Sequence, residues 1–166
     1  TSKNLIAMKT LTKDEEIIEI ENPMSESYSV VRNWIIPILL EFVGKNKHAE
    51  FPQKIFEEGI ITVKGEQPKD YESLACVSCH KLADFTELKQ TLEAVLRSLG
   101  IFCDIEEFEH PSFIPGRCGR VIVGGEDIGI IGEIAPEVLV NFEILFPVSA
   151  FEMNITKLFK HTNYND

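Results

Sequence analysis

Arg120 to Ile134, RVIVGGEDIGIIGEI, is the stretch on which the fold turns. Arg120–Val123 and Ile128–Ile134 are short β-branched runs. Between them stand Gly124, Gly125, Glu126 and Asp127. Adjacent glycines between such runs mark a hairpin, because the tight turn needs positive φ at its central residues. This predicts an antiparallel pair. Before it, Cys103–Phe108 alternates apolar and acidic residues, the pattern of a half-buried strand with a solvated charged face. After it, Pro136 opens a short helix to about Phe142. Ser149–Ile155 reads as a last strand, running into a short terminal helix.

Further out, Asp84 starts the clearest helix. Its carboxylate is placed to cap the first turn, with Glu87 three residues on to reach back in a capping box. Phe85, Leu88, Leu92, Val95, Leu96 and Leu99 share one face, and Gly100 supplies a left-handed stop. Proline is accepted in a first helical turn, so Pro37 predicts a helix from about Ile36 to Asn46. Leu74–His80 is a strand candidate. Lys54–Val63 has β-branched residues on both faces, which predicts a strand covered on both sides. Glu16–Glu21 is a strand candidate and Asn22–Ser29 a loop; the opening segment carries no clear pattern. Hairpins plus a few helices give an α+β fold, an antiparallel sheet with flanking helices.

The 166 residues hold 16 Lys and Arg against 27 Asp and Glu, a net charge of −11, with 44% hydrophobic residues. The length suits one core-forming domain, residues 1–166. A chain this acidic is no stand-alone nucleic-acid binder, since phosphate neutralisation needs a clustered basic surface. No apolar run reaches the roughly 20 residues of a membrane span. Thr1 in place of Met reads as a piece of something longer.

The sharpest local pattern is Cys76-Val77-Ser78-Cys79-His80, which satisfies the C-x-x-C-H signature of covalent haem attachment. That makes a haem or redox domain the alternative reading. In a strand, however, Cys76 and Cys79 point to opposite faces, and Cys103 and Cys118 lack the spacing of a second zinc pair. Reduced cysteines in a cytoplasmic protein are the simpler account. His48, His80, His110 and His161 show no ligand spacing, and nothing pairs His110 with a nucleophile. Arg117 and Arg120 flank a glycine-rich turn but are weak phosphate binders in so acidic a chain. Glu57, Glu58 and Glu133 are the candidates for paired carboxylates; on strands, adjacent acids face opposite ways. No catalytic constellation emerges, and no catalytic, cofactor-binding or metal residue is nominated.

The order of short motifs is more telling. Asn22-Pro23-Met24-Ser25, Ser29-Val30-Val31-Arg32, Pro37-Ile38-Leu39-Leu40 and Ile55-Phe56-Glu57-Glu58-Gly59 come first. Phe85-Thr86-Glu87-Leu88-Lys89, His110-Pro111-Ser112-Phe113-Ile114-Pro115-Gly116-Arg117-Cys118, Ile128 to Leu139 and Phe151-Glu152-Met153-Asn154 follow. In this order, over residues 17–158, they resemble the carboxy-terminal region of the phenylalanine–tRNA ligase beta subunit family in its archaeal and eukaryotic form. The resemblance implies a sheet like the catalytic core of class II aminoacyl-tRNA synthetases. It also implies a lost active site. Working cores resemble a Phe-Arg-x-Glu pattern whose arginine holds the ATP α-phosphate, whereas this strand reads Phe56-Glu57-Glu58-Gly59. A second arginine is expected after a Phe-Glu pair, where this chain has Met153-Asn154. Carboxylate in place of a phosphate-clamping cation reverses the local interaction.

What the resemblance leaves is architecture. It implies a non-catalytic module, partnered with an alpha subunit in an α2β2 assembly. By the same resemblance the whole enzyme uses ATP and magnesium, and tRNA is met through the complex. Class II enzymes resemble one another in dimerising through the segment that corresponds here to Asn22–Lys47. Its run Trp34 to Leu40 is apolar on more than one face, as a helix buried at an interface is. Arg32, Trp34, Ile35, Pro37, Leu39 and Leu40 are therefore the expected subunit interface, with Arg32 in a buried or interfacial ion pair.

Overall fold

The computed structural model describes residues 1–12, 17–25 and 29–162. Glu16 of the expected first strand, residues 26–28 of the expected loop and the last four residues lie outside them. Of the rest of the expected first strand only Ile18–Glu19 is strand, β1, paired with β2, Val30–Val31, in a small antiparallel ribbon. A π-helical turn at Asn4–Met8 precedes it, and Ile6, Ala7, Ile17 and Val30 form a small buried cluster there.

The decisive stretch forms a longer hairpin than the sequence predicts: β6 is Phe113–Val123 and β7 is Glu126–Ile134. Gly124 and Gly125 take φ of 57° and 81°, so two residues make the turn and Glu126 already pairs with Val123. β3, Gln53–Val63, and β4, Lys69–Cys79, form a second long hairpin. The polar half of β4, Lys69–Ser73, has no apolar alternation and was not legible as strand. With β5, Asp104–Glu107, and β8, Val148–Asn154, the strands build one antiparallel sheet in the order β3-β4-β8-β7-β6-β5. The α+β expectation holds.

Helices cover both faces. α1, Ile36–Lys45, lays Ile36, Leu39, Leu40 and Val43 on one face, against Ala75, Val77, Cys79, Val148 and Ala150. α2, Phe85–Ser98, lays Leu88, Leu92 and Leu96 on the other, against Ile131, Phe151 and Met153. α3, Pro136–Asn141, follows β7, and α4, Ile155–Leu158, follows β8. Gly100 has φ of 73°, the left-handed stop expected after α2.

Two expectations fail. Lys54–Val63 is not covered on both sides: β3 is an edge strand, and α2 lies over β7 and β8 instead. Phe56 is therefore 75% exposed and Ile60 58%. The capping box is only half made. Asp84 accepts the Glu87 N–H at 2.7 Å, but the Glu87 carboxylate turns to Lys54 and to His80 Nε2 (2.7 Å). The Lys54 ammonium and the His80 ring together outweigh one backbone N–H.

Candidate functional site

The residue that precedes α1 at its N-cap is Ile35, which has no side-chain oxygen to offer the free N–H groups of a helix start. Glu152, in the sheet interior on β8, supplies it. Its Oε2 accepts the N–H of Ile35 at 2.8 Å and of Ile36 at 3.1 Å, and its Oε1 accepts the Ser73 hydroxyl at 2.9 Å. Burial pushes the carboxyl above the usual range, while the two N–H groups, Ser73 and the charge of Arg32 pull it back down. One acid thereby fixes the start of α1 to the middle of the sheet.

Arg32 lies just before this helix. Its guanidinium pairs with Glu57, and its Nε donates to the Ile60 carbonyl at 2.8 Å. Its own carbonyl accepts the Thr62 N–H at 2.9 Å. A Cβ on Gly59 would stand 2.2 Å from Arg32 Nη2, so glycine there makes room for the guanidinium. The ion pair expected of Arg32 is present, and its partner is the acid at the position where the resemblance expects an arginine. On the other strand in question Met153 is buried in the α2-side core, and Asn154 accepts the Lys157 N–H at 2.9 Å as the cap of α4. These residues do not fit a nucleoside triphosphate. The two positions present a neutralised carboxylate, a buried thioether and an occupied amide.

Of the six residues nominated for a subunit interface, Ile35, Pro37, Leu39 and Leu40 are buried in this chain's own core. α1 lies flat on the sheet, so these side chains are spent on packing and hold the helix in place. Arg32 and Trp34 are half-buried. What α1 turns outward is Ile38 in part, Glu41, Phe42 at 52% exposure, and Lys45, which pairs with Glu41.

The other candidates are dispersed. Cys79 belongs to the α1-side core and Cys76 packs against the α2-side core, so the opposed faces read from the sequence are real and one haem or zinc cannot bridge them. Burial raises both thiols, Cys79 to about 11, which keeps them protonated. Glu58 points away from Glu57 and is exposed. Glu133 is three strands from Glu57, on the opposite face, where it accepts the Phe85 N–H at 3.0 Å and pairs with Arg117 at 2.7 Å. Arg120 lies over the Phe108 ring at 3.7 Å. His110 is ringed by Trp34, Phe108 and Phe113, and its Nδ1 accepts the Ser112 N–H at 3.2 Å. Burial, then Arg120, lowers it to about 4. Among the described residues no three metal-ligating side chains come together.

Residues 1–155 match the family model of the phenylalanyl-tRNA synthetase beta chain CLM domain. The chain belongs to that family. It is 49% identical over 148 residues to the phenylalanine–tRNA ligase beta subunit of Thermococcus kodakarensis, covering 87% of this chain and 26% of that protein. It is 46% identical over 169 residues to that of Pyrococcus horikoshii, covering 97% and 30%. To that of Methanococcus aeolicus it is 42% identical over 150 residues, covering 86% and 27%. The chain thus spans less than a third of the length of the curated relatives it matches.

The CLM match takes in the complete six-stranded sheet and ends one residue into α4. None of these three relatives is named as a haem protein, and the separated cysteines leave that alternative without support. Glu152 is the residue of this CLM domain that sequence reasoning missed in its structural role. The one signal for it was local: a lone acid between Phe151 and Met153, in a strand with no other charged residue, implies a buried, hydrogen-bonded carboxyl.

Proposed function

We propose that this chain is the class II-like, non-catalytic module of the beta subunit of a phenylalanine–tRNA ligase, the enzyme that attaches phenylalanine to its tRNA with ATP and magnesium. Its role is structural. It assembles with an alpha subunit, in an α2β2 enzyme of the cytoplasm, and meets tRNA only through that complex. The observation that carries this reading is Glu57 locked to Arg32 at the position where a working class II core resembles a phosphate-clamping arginine. The family match and the relatives' name support the parent enzyme. The six-stranded antiparallel sheet supports the class II likeness. Among the described residues no helix is long and apolar enough to cross a membrane.

The interface reading keeps Arg32 and Trp34 at its border and rests on α1 as a rigid element. Ile35, Pro37, Leu39 and Leu40 place that element, while Phe42 and Ile38 meet the partner. A charge at Leu39 would test only folding, because Leu39 is core. The test is Phe42→Asp in the beta subunit co-expressed with the alpha subunit of the same organism. The variant is expected to keep its thermal midpoint within a few degrees, and to lose most of the co-purifying alpha subunit. Full co-purification with the variant would refute the α1 interface. Failure of the parent beta subunit to bind alpha would refute the assembly role.

A further inference from the structure

The edge strand β3 bears a short, self-complementary stretch. The Thr62 N–H and Ile60 carbonyl point away from β4, toward Arg32. In an antiparallel ladder outward groups recur at every second residue, so Lys54, Phe56 and Glu58 also present N–H and C=O outward. Among the described residues no other segment meets them. The open stretch has two stops. At Ile60 and Thr62 the edge is filled by Arg32, and at residue 52 stands Pro52, which has no N–H to donate. The side chains of Lys54, Phe56 and Glu58 share the bare side of the sheet. Phe56 is 75% exposed, and Glu58 makes no ion pair among the described residues. Lys54 reaches Glu87 on a flexible stem.

We infer that β3 pairs edge to edge with β3 of a second copy of this chain, about a two-fold axis at Phe56. In that register Phe56 faces its own copy, Lys54 faces Glu58, and Glu58 faces Lys54. Every pair is of the kind that exchanges two N–H···O bonds. Other registers fail: a shift of one step either sets Phe56 against Glu58 and Lys54 against the filled Ile60, or sets Glu58 against Pro52. Oppositely charged residues directly across a ladder stabilise it, and an aromatic pair at its centre adds more. A two-fold contact of one patch with itself closes at two copies, which spares the edge from open-ended pairing. A ladder this short makes a contact of the weak class, so it acts beside other interfaces or at high concentration.

The experiment uses this chain and its Glu58→Lys and Lys54→Glu/Glu58→Lys forms, in sedimentation runs up to about 0.5 mM, the range in which weak contacts are populated. The parent chain is expected to dimerise. Glu58→Lys should weaken dimerisation by roughly tenfold or more, as two attractive pairs become repulsive, and the double exchange should restore it. In parallel, Phe56→Cys is oxidised in a Cys76→Ser background, because Cys76 faces position 56 within the same chain, and the linked peptides are identified by mass spectrometry, with Val63→Cys, beyond Arg32, in the same background as the control. Facing Cα atoms about 5.5 Å apart lie within disulfide reach, so the Phe56→Cys chain should link to its own copy through the new thiol, and the Val63→Cys chain should not. A monomeric parent chain, dimerisation indifferent to Glu58→Lys, failure of the double exchange, or equal linking in the two cysteine variants would each overturn the pairing. None of these touches the co-purification test of the alpha-subunit interface.

Discussion

The helices on the two faces begin in different ways. α2 carries its own start. Asp84 caps Glu87, and Glu133, backed by Arg117, takes the Phe85 N–H from the sheet side. α1 has no local cap at all. Its first N–H groups are held by Glu152, more than a hundred residues away in sequence, and its approach is pinned by Trp34 against His110 at 5.6 Å. A locally capped helix tolerates the loss of one partner. A helix started by one buried acid from another strand is a tertiary object, whose place depends on the sheet being assembled.

The strongest way to break that contrast is Glu152→Ala. It strands the Ile35 and Ile36 N–H groups in a sealed site, where each unpartnered group costs about 1–3 kcal/mol, and leaves the Ser73 hydroxyl only its 3.2 Å bond to the Met153 carbonyl. We expect a loss of roughly 3 kcal/mol in urea unfolding, with hydrogen-exchange protection falling first in α1. A loss below about 1 kcal/mol, or fraying spread equally to α2, would show that α1 is not started from β8.

The second test is pH. His110, ordinarily near 6.5, is lowered to about 4 in the fold, chiefly by burial. The unfolded chain therefore binds the extra proton first, and stability falls as pH drops from about 6.5 to about 4, by about 2–3 kcal/mol across that window. Glu152, raised by burial, has the opposite slope, stability falling as pH rises above the ordinary carboxylate value. That contribution is common to the parent and His110→Phe, so their difference isolates the histidine. His110→Phe is expected to be weaker at pH 7, having lost the acceptor for the Ser112 N–H, but flatter below pH 6.5. Parallel profiles would remove His110 from the account of α1.

The same contrast explains what could be read in advance. α2 was legible from Asp84 to Gly100 because cap, apolar face and stop all lie within one helix. The β6–β7 hairpin was legible because Gly124 and Gly125 dictate its turn. The edge position of β3 was not, since a β-branched run looks the same whether its second face is covered or bare, and only the strand order decides. The acid that stands where the resemblance expects an arginine was visible at Glu57, yet its pairing with Arg32 joins two separate segments that only the fold brings together. Leu39 and Leu40 read as interface because a helix apolar on several faces must be buried. The sequence does not say whether the sheet or a partner does the burying, and here the sheet does.

The smallest effect is expected where the contrast predicts redundancy. Asp84→Ala removes the acceptor of the Glu87 N–H at an exposed helix start, a change that typically costs about 1 kcal/mol. The rest of that start survives: Glu133 still holds the Phe85 N–H, and Leu88, Leu92 and Leu96 still anchor the buried face. Asp84→Asn, which keeps a capping oxygen, should recover most of the loss, and Asp84→Ala/Glu133→Gln should cost more than the two single changes together, because each then removes the other's backup. Additive costs in that cycle would mean that α2 has two independent anchors rather than a shared one, and that its start is no more robust than that of α1.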